Sequence, residues 1–144
     1  MSTKYTTKDY WFTFIAPGGQ IRCSQNYISV NALATKTIAS IVGKGKIISG
    51  IIYPPLGTDQ KQSYIRLFAD GIQLNFPPLY HMHDYGLYIP VNHPIRLAKY
   101  DTDKNYYVVD VLEGISYNES FSVQYEEKNN YSVTVECDII YFEV

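Results

Sequence analysis

The side chains best able to do chemistry gather in one stretch, His81-Met82-His83-Asp84, with His93 ten residues further on. In an extended segment, residues 81 and 83 would point the same way. Three imidazoles and a carboxylate form a donor set that zinc can use. The setting argues for something plainer. The stretch lies in a long Pro/Tyr-rich connection, Pro77 to Pro94, where histidines beside Tyr80 and Tyr85 need no metal. We expect loop histidines there, with no metal and no cofactor. The same connection offers Tyr80, His81, His83, Asp84, Tyr85 and Tyr88 as a candidate binding surface. Tyrosine presents a large apolar face and a polar tip, which suits a sugar ring or a protein partner.

Other catalytic arrangements find less support. There is no Gly-x-Ser-x-Gly elbow, and Cys23 and Cys137 both sit in strand-like runs instead of exposed turns. Glu113, Glu119, Glu126, Glu127 and Glu136 supply carboxylates, but their spacing selects no acid–base pair. Gly43-Lys44-Gly45-Lys46 lacks the flanking pattern and the terminal hydroxyl of a phosphate loop, and reads as a solvated turn. The chain is not expected to be an enzyme.

Composition narrows the classes further. The chain has 144 residues, among them 15 tyrosines, 6 phenylalanines and a single tryptophan, and a formal net charge of −2. Plentiful isoleucine and valine with sparse alanine and leucine favour strands. A near-neutral chain without a basic cluster is a poor nucleic-acid binder. No run reaches the roughly 18 to 20 apolar residues of a membrane span. The start, Met1-Ser2-Thr3-Lys4-Tyr5, lacks the apolar core of a secretory signal. A reducing cytoplasm is then the expected place of synthesis, and Cys23 and Cys137 are expected as unbridged, small core residues.

The elements that must position these groups are strands. Asp70-Gly71 lies between two alternating runs and predicts a two-residue hairpin turn. It would pair Ala69 with Ile72, Leu67 with Leu74 and Ile65 with Phe76, all apolar and all on one face. Tyr64, Arg66 and Phe68 fall on the opposite face and are candidate interface residues, being types enriched where proteins meet. Further strands are expected at Tyr10–Ile15, Gln20–Val30, Lys46–Tyr53, Leu87–Val91, Ile95–Tyr100, Asn105–Leu112, Phe121–Tyr125 and from Tyr131 onward. Gly50 marks a bulge or a close backbone approach, and the shift of apolar pattern at Ile140 suggests a bulge. Asn31 to Val42 fits either a strand or a short helical turn. No long helix is expected. Lys46–Tyr53 and Tyr106–Leu112 carry few charges or prolines, which makes them candidate open edges.

Eight to ten short strands spaced by turn signals predict an all-β fold, an antiparallel β-sandwich of jelly-roll type. Residues 1–9 read as an N-terminal arm that frays or docks on a neighbouring subunit, and residues 10–144 as one sandwich domain. Three features stand out within residues 46 to 144. They are the hairpin Arg66-Leu-Phe-Ala-Asp-Gly-Ile-Gln-Leu74, the Pro/Tyr-rich connection, and a chain that ends inside a strand, Ile139-Ile-Tyr-Phe-Glu-Val144. In this style the chain resembles small virion accessory proteins, the decoration, head-fibre and tail-adaptor proteins of phages and other viruses. The resemblance implies a non-enzymatic structural or assembly protein of the virion, made in the host cytoplasm. It would bind copies of itself, most simply as a trimer, and a larger capsid or tail scaffold. No functional residues carry over from it. A carbohydrate- or receptor-binding module, using the loop Tyr80 to Tyr88, is the alternative.

Overall fold

The computed structural model describes residues 19–55, 57–74, 79–84, 94–101 and 103–144. Ten strands and one helical turn follow along them: β1 (Gln20–Val30), β2 (Thr35–Val42), β3 (Gly45–Tyr53), β4 (Tyr64–Ala69), β5 (Ile72–Gln73), α1 (Leu79–Asp84), β6 (Ile95–Asp101), β7 (Tyr106–Val111), β8 (Ser116–Tyr117), β9 (Ser120–Glu126) and β10 (Val133–Glu143). The expected strands at Tyr10–Ile15 and Leu87–Val91 lie outside the described residues, as does the arm at residues 1–9.

Alternation builds the sandwich. β9 turns Phe121, Val123 and Tyr125 inward, and β10 does the same with Val133, Val135, Cys137 and Ile139. Each strand therefore has one apolar face to cover, and two sheets meet over it. One sheet runs β1-β10-β3-β7-β6, with β8 also pairing β3, and the other runs β2-β9-β4-β5. All pairings are antiparallel, and those of β1 with β10, β2 with β9, β3 with β7 and β8, and β4 with β5 nest, while β10 also pairs β3 and β9 also pairs β4.

The hairpin takes the predicted turn. Asp70 and Gly71 both have positive φ, 52° and 77°, as a type I′ turn requires. Ala69 pairs with Ile72, and the Leu74 amide donates to the Leu67 carbonyl at 2.8 Å. Phe76 lies outside the described residues. Ile65, Leu67 and Ala69 are buried, whereas Ile72 is 68% exposed at the tip.

Between Asn31 and Val42 the chain makes a turn, with Leu33 at φ 56°, and then the strand β2. A register shift between Thr37 and Ala39 explains the helix-like spacing. The bulge puts Ile38, Ala39 and Ile41 all inside, which imitates a 3.6-residue period without forming one.

Gly50 is a point of close approach. A Cβ there would lie 2.9 Å from Val111 Cβ on β7. The pattern shift at Ile140 is also a bulge, between Ile140 and Tyr141, where Ser49 and Ile47 on β3 face consecutive β10 residues.

Two expectations need correction. β3 and β7 are interior strands, not edges; they lack guarding charges because each has a neighbour on both sides. Cys23 is exposed on the outer face of its sheet while Cys137 is buried, because Cys23 pairs with the outward Ile140. Tyr107, Tyr117 and Tyr125 are at most 3% exposed and belong to the core.

Candidate functional site

The histidine stretch is helical, not extended. Leu79 and Met82, three apart and each 0% exposed, anchor α1 to the core. The Leu79 and Tyr80 amides donate to the carbonyls of Ser63 and Lys61 at 3.1 and 3.0 Å. On a helix, positions two apart lie on different faces. The extended backbone on which the zinc-like reading of this stretch depended is therefore not the one formed. Within α1, Tyr80 is half-buried and Asp84 exposed. Tyr85, Tyr88 and His93 lie outside the described residues. Among the described residues no three of His, Cys, Asp and Glu gather as a metal site needs.

Tyr64, Arg66 and Phe68 do share the outer face of the four-stranded sheet, all half-buried. Their charge is committed within the chain. Arg66 bonds Glu126 on β9 at 2.8 Å, and Lys128 reaches the same carboxylate at 2.8 Å. Both cations stand over the Tyr64 ring, 4.6 and 5.4 Å from its centre. Burial works to raise the Glu126 pKa, but Lys128 and Arg66 prevail and hold it below the usual range. This cluster braces β4 against β9.

A second polar group lies inside the molecule. Gln60, Ser63 and Glu127 are fully buried. Ser63 Oγ lies 3.0 Å from Gln60 Oε1 and 3.5 Å from Glu127 Oε1. Gln60 Oε1 also accepts from the Tyr125 hydroxyl. Asn129 donates its amide and its side chain to Glu127 at 2.7 and 2.8 Å. Held this way, the knot ties the loop before β4 to the loop after β9, a structural task.

The concave surface that sequence reasoning missed lies on the outer face of the six-stranded sheet. Cross-strand partners share a face, so the register sets Gln25, Asp138, Ile51, Asp110 and Arg96 in one row across β1, β10, β3, β7 and β6. They line a concavity of about 620 Å³ whose apolar floor includes Ile48, Ile51 and Ile140. Arg96 Nε bonds Asp110 at 3.3 Å. Asp138 has no such cation. Burial first, and then the adjacent Glu136 carboxyl, push its pKa up to about 6, and no donor reaches its buried Oδ1. Glu136 in turn accepts from the exposed Tyr27 hydroxyl, which raises the tyrosine's pKa. The alternation of β10 did place Glu136 and Asp138 on a polar face. Their meeting with β1 and β7 depends on strand order, which no local pattern encodes.

No helix among the described residues is long and apolar enough to cross a membrane. No protein-family model matches the chain, and no curated protein matches it.

Proposed function

We propose that the protein is a non-enzymatic structural or assembly component, of the virion-accessory kind, which self-associates and binds a larger capsid or tail scaffold. The nested strand pairing supports this reading. It is the order expected of a jelly roll, a fold of viral capsid and lectin domains. A fold does not assign a function by itself, so the weight rests on one further observation, the state of the sheet edges.

The described residues present four edges, and three are guarded. β5 is two residues long. β2 carries a bulge and Lys36. β6 carries a bulge beside Lys99. β1 differs. It runs eleven residues in unbroken register with β10. Its one charge, Arg22, is paired with Glu143 near the strand's start, and Lys36 takes the Ser29 carbonyl near its end at 3.1 Å. Between them, Cys23 to Ile28 contains no charge, proline or register shift. Such an edge is a template for another strand, and a second copy of this chain is the partner the reading requires. A trimer is the expected assembly, and the virion, after synthesis in the host cytoplasm, the expected location.

Light scattering at micromolar concentration tests it. The wild-type protein should be a homo-oligomer, and the exposed double substitution Tyr27→Lys with Ser29→Lys should give monomer with an unchanged circular dichroism spectrum. A wild-type monomer, above all one that binds immobilised glycans, would reject self-association and favour the carbohydrate-binding alternative.

A further inference from the structure

We propose that the concavity on the outer face of the six-stranded sheet takes the cationic end of a lysine or arginine side chain presented by a partner protein. The proposal rests on the scaffold-binding half of the function above, and names the chemistry by which the partner would be held.

The charge balance of the lining points to a cation. Asp110, Glu113 and Asp138 stand against Arg96 alone. Arg96 is already engaged by Asp110 at 3.3 Å, which leaves Asp138 and the exposed Glu113. Asp138 also adjoins the Glu136 carboxyl on its own strand. Two carboxyl groups this close favour either a retained proton or a cation between them. From β1 they are faced by Gln25 and by the Tyr27 hydroxyl, which already serves Glu136. From β3, Ile51 faces Asp138 and Tyr53 faces Glu136, with Asp110 beyond Ile51 on β7 and Arg96 on β6; the Asn26 backbone amide on β1 donates to Asp138. The Cys23 thiol also lines the concavity. No cation among these is free to neutralise the pair.

The geometry suits a long aliphatic stem with a charged tip. Asp138 and Asp110 lie on strands separated by β3, about 9.5 Å apart at the usual strand spacing. That is too far for both to hold one small ion. Ile51 lies between them in the row, and Ile48 and Ile140 widen the apolar floor. Lysine and arginine lay their methylene stems along such surface while keeping the charge at a polar end. A guanidinium or ammonium at Asp138 would make a charge-assisted contact with the carboxyl at the polar end of the concavity.

The test uses ¹⁵N-labelled full-length protein and N-acetyl-lysine methylamide as the probe. Its norleucine counterpart, with the same stem and no ammonium, and methyl glucoside serve as controls. The lysine probe should shift the backbone amides of residues 25, 51, 110 and 138, and the norleucine probe should bind roughly tenfold more weakly, the scale of one charge-assisted contact. Binding should strengthen as pH rises through about 6, and Asp138→Asn should remove both the pH dependence and the preference for lysine. If that variant were poorly folded, Glu136→Gln should still reduce the preference. Equal binding of the lysine and norleucine probes, or shifts with the glucoside alone, would overturn the proposal. The readout does not depend on oligomeric mass. A monomer that binds the lysine probe would reject self-association while keeping this site, and an oligomer that ignores the probe would do the reverse.

Discussion

Gly50→Ala adds one methyl group at the tightest point of the six-stranded sheet. The new Cβ would lie 2.7 Å from Ile139 Cδ1, 2.9 Å from Val111 Cβ and 3.1 Å from Val111 Cγ2. These neighbours differ in what they can yield. The Ile139 contact is the far end of a flexible side chain and can swing aside. Val111 Cβ is fixed to the backbone, so relief requires β7 to move away from β3. The ladder available to absorb that movement is the short run Gly50↔Val111, Ile51↔Asp110 and Ile52↔Val109. Overpacking of this kind costs about 1–3 kcal/mol. Replacing glycine returns about 0.4–1 kcal/mol by stiffening the unfolded chain. At the middle of both ranges the net loss is about 1.3 kcal/mol, a fall in Tm of about 4–5 °C for a chain of this length. Calorimetry on the single variants and the double variant separates strain from simple propensity. Val111→Ala destabilises alone by leaving a void, yet it removes the Cγ2 contact. Combined with Gly50→Ala, it should cost less than the two changes summed, by about 0.5–3 kcal/mol. Strict additivity, or a Gly50→Ala protein melting with the parent, would refute the close approach of β3 and β7.

Four further outcomes follow from burial and charge. Leu67→Asp places a charge where Leu67 is 0% exposed and should cost several kcal/mol, whereas Leu74→Asp, at a partly buried position, should cost clearly less; equal urea midpoints would contradict the assigned register. In the native protein one thiol, Cys23, should react promptly with a thiol reagent, while Cys137, buried and with its pKa pushed up to about 12, should react only on unfolding. Burial and Glu136 raise the Asp138 pKa from 3.8 to about 6, so the native state holds that proton more tightly and loses stability as pH rises from about 4 through 6; Asp138→Asn should flatten this fall in a series of urea midpoints against pH. Asp70 has the opposite sign, because backbone amides of Asn118, Glu119 and Ser120 hold its pKa below 3.8. Its contribution is present above the unfolded value and disappears as pH falls through the folded one, so Asp70→Asn should destabilise at neutral pH but not in strong acid.

The hairpin was legible because its determinants are local. Asp70-Gly71 demands positive φ and the flanking residues alternate, so turn and pattern agree on one register. The same Asp70 also binds three amides nearly fifty positions away, at 2.7 to 3.0 Å, and no turn propensity announces that. β2 was ambiguous for an equally concrete reason: its bulge after Thr37 spaces Ile38 and Ile41 as a helix would. Histidines 81 and 83 looked one-sided only on the assumption of extended backbone, which the burial of Leu79 and Met82 on α1 overturned.

Edges and outer faces were the least legible features, although the proposed assembly role depends on them. The apolar character of β3 and β7 suggested exposure awaiting a partner, yet both are flanked by strands of their own sheet. β1 attracted no notice because its composition is bland: Cys-Ser-Gln-Asn-Tyr-Ile spans residues 23 to 28 without a charge. For a central strand that composition would mean little. At what is an edge among the described residues it means unguarded amides and carbonyls over six residues, since edges are protected by lysine, proline or bulges. The same reasoning applies to Asp138. One carboxylate on a polar face is an ordinary surface residue, but the alternation of β10 puts it beside Glu136, and strand order puts it across Ile51 from an Asp110 that has already claimed Arg96. An uncharged edge and an unneutralised carboxyl pair therefore occur side by side on β1 and β10. Under the two proposals one takes a strand from a second copy and the other a cation from the scaffold, so the two contacts would use neighbouring surfaces of the same strand pair.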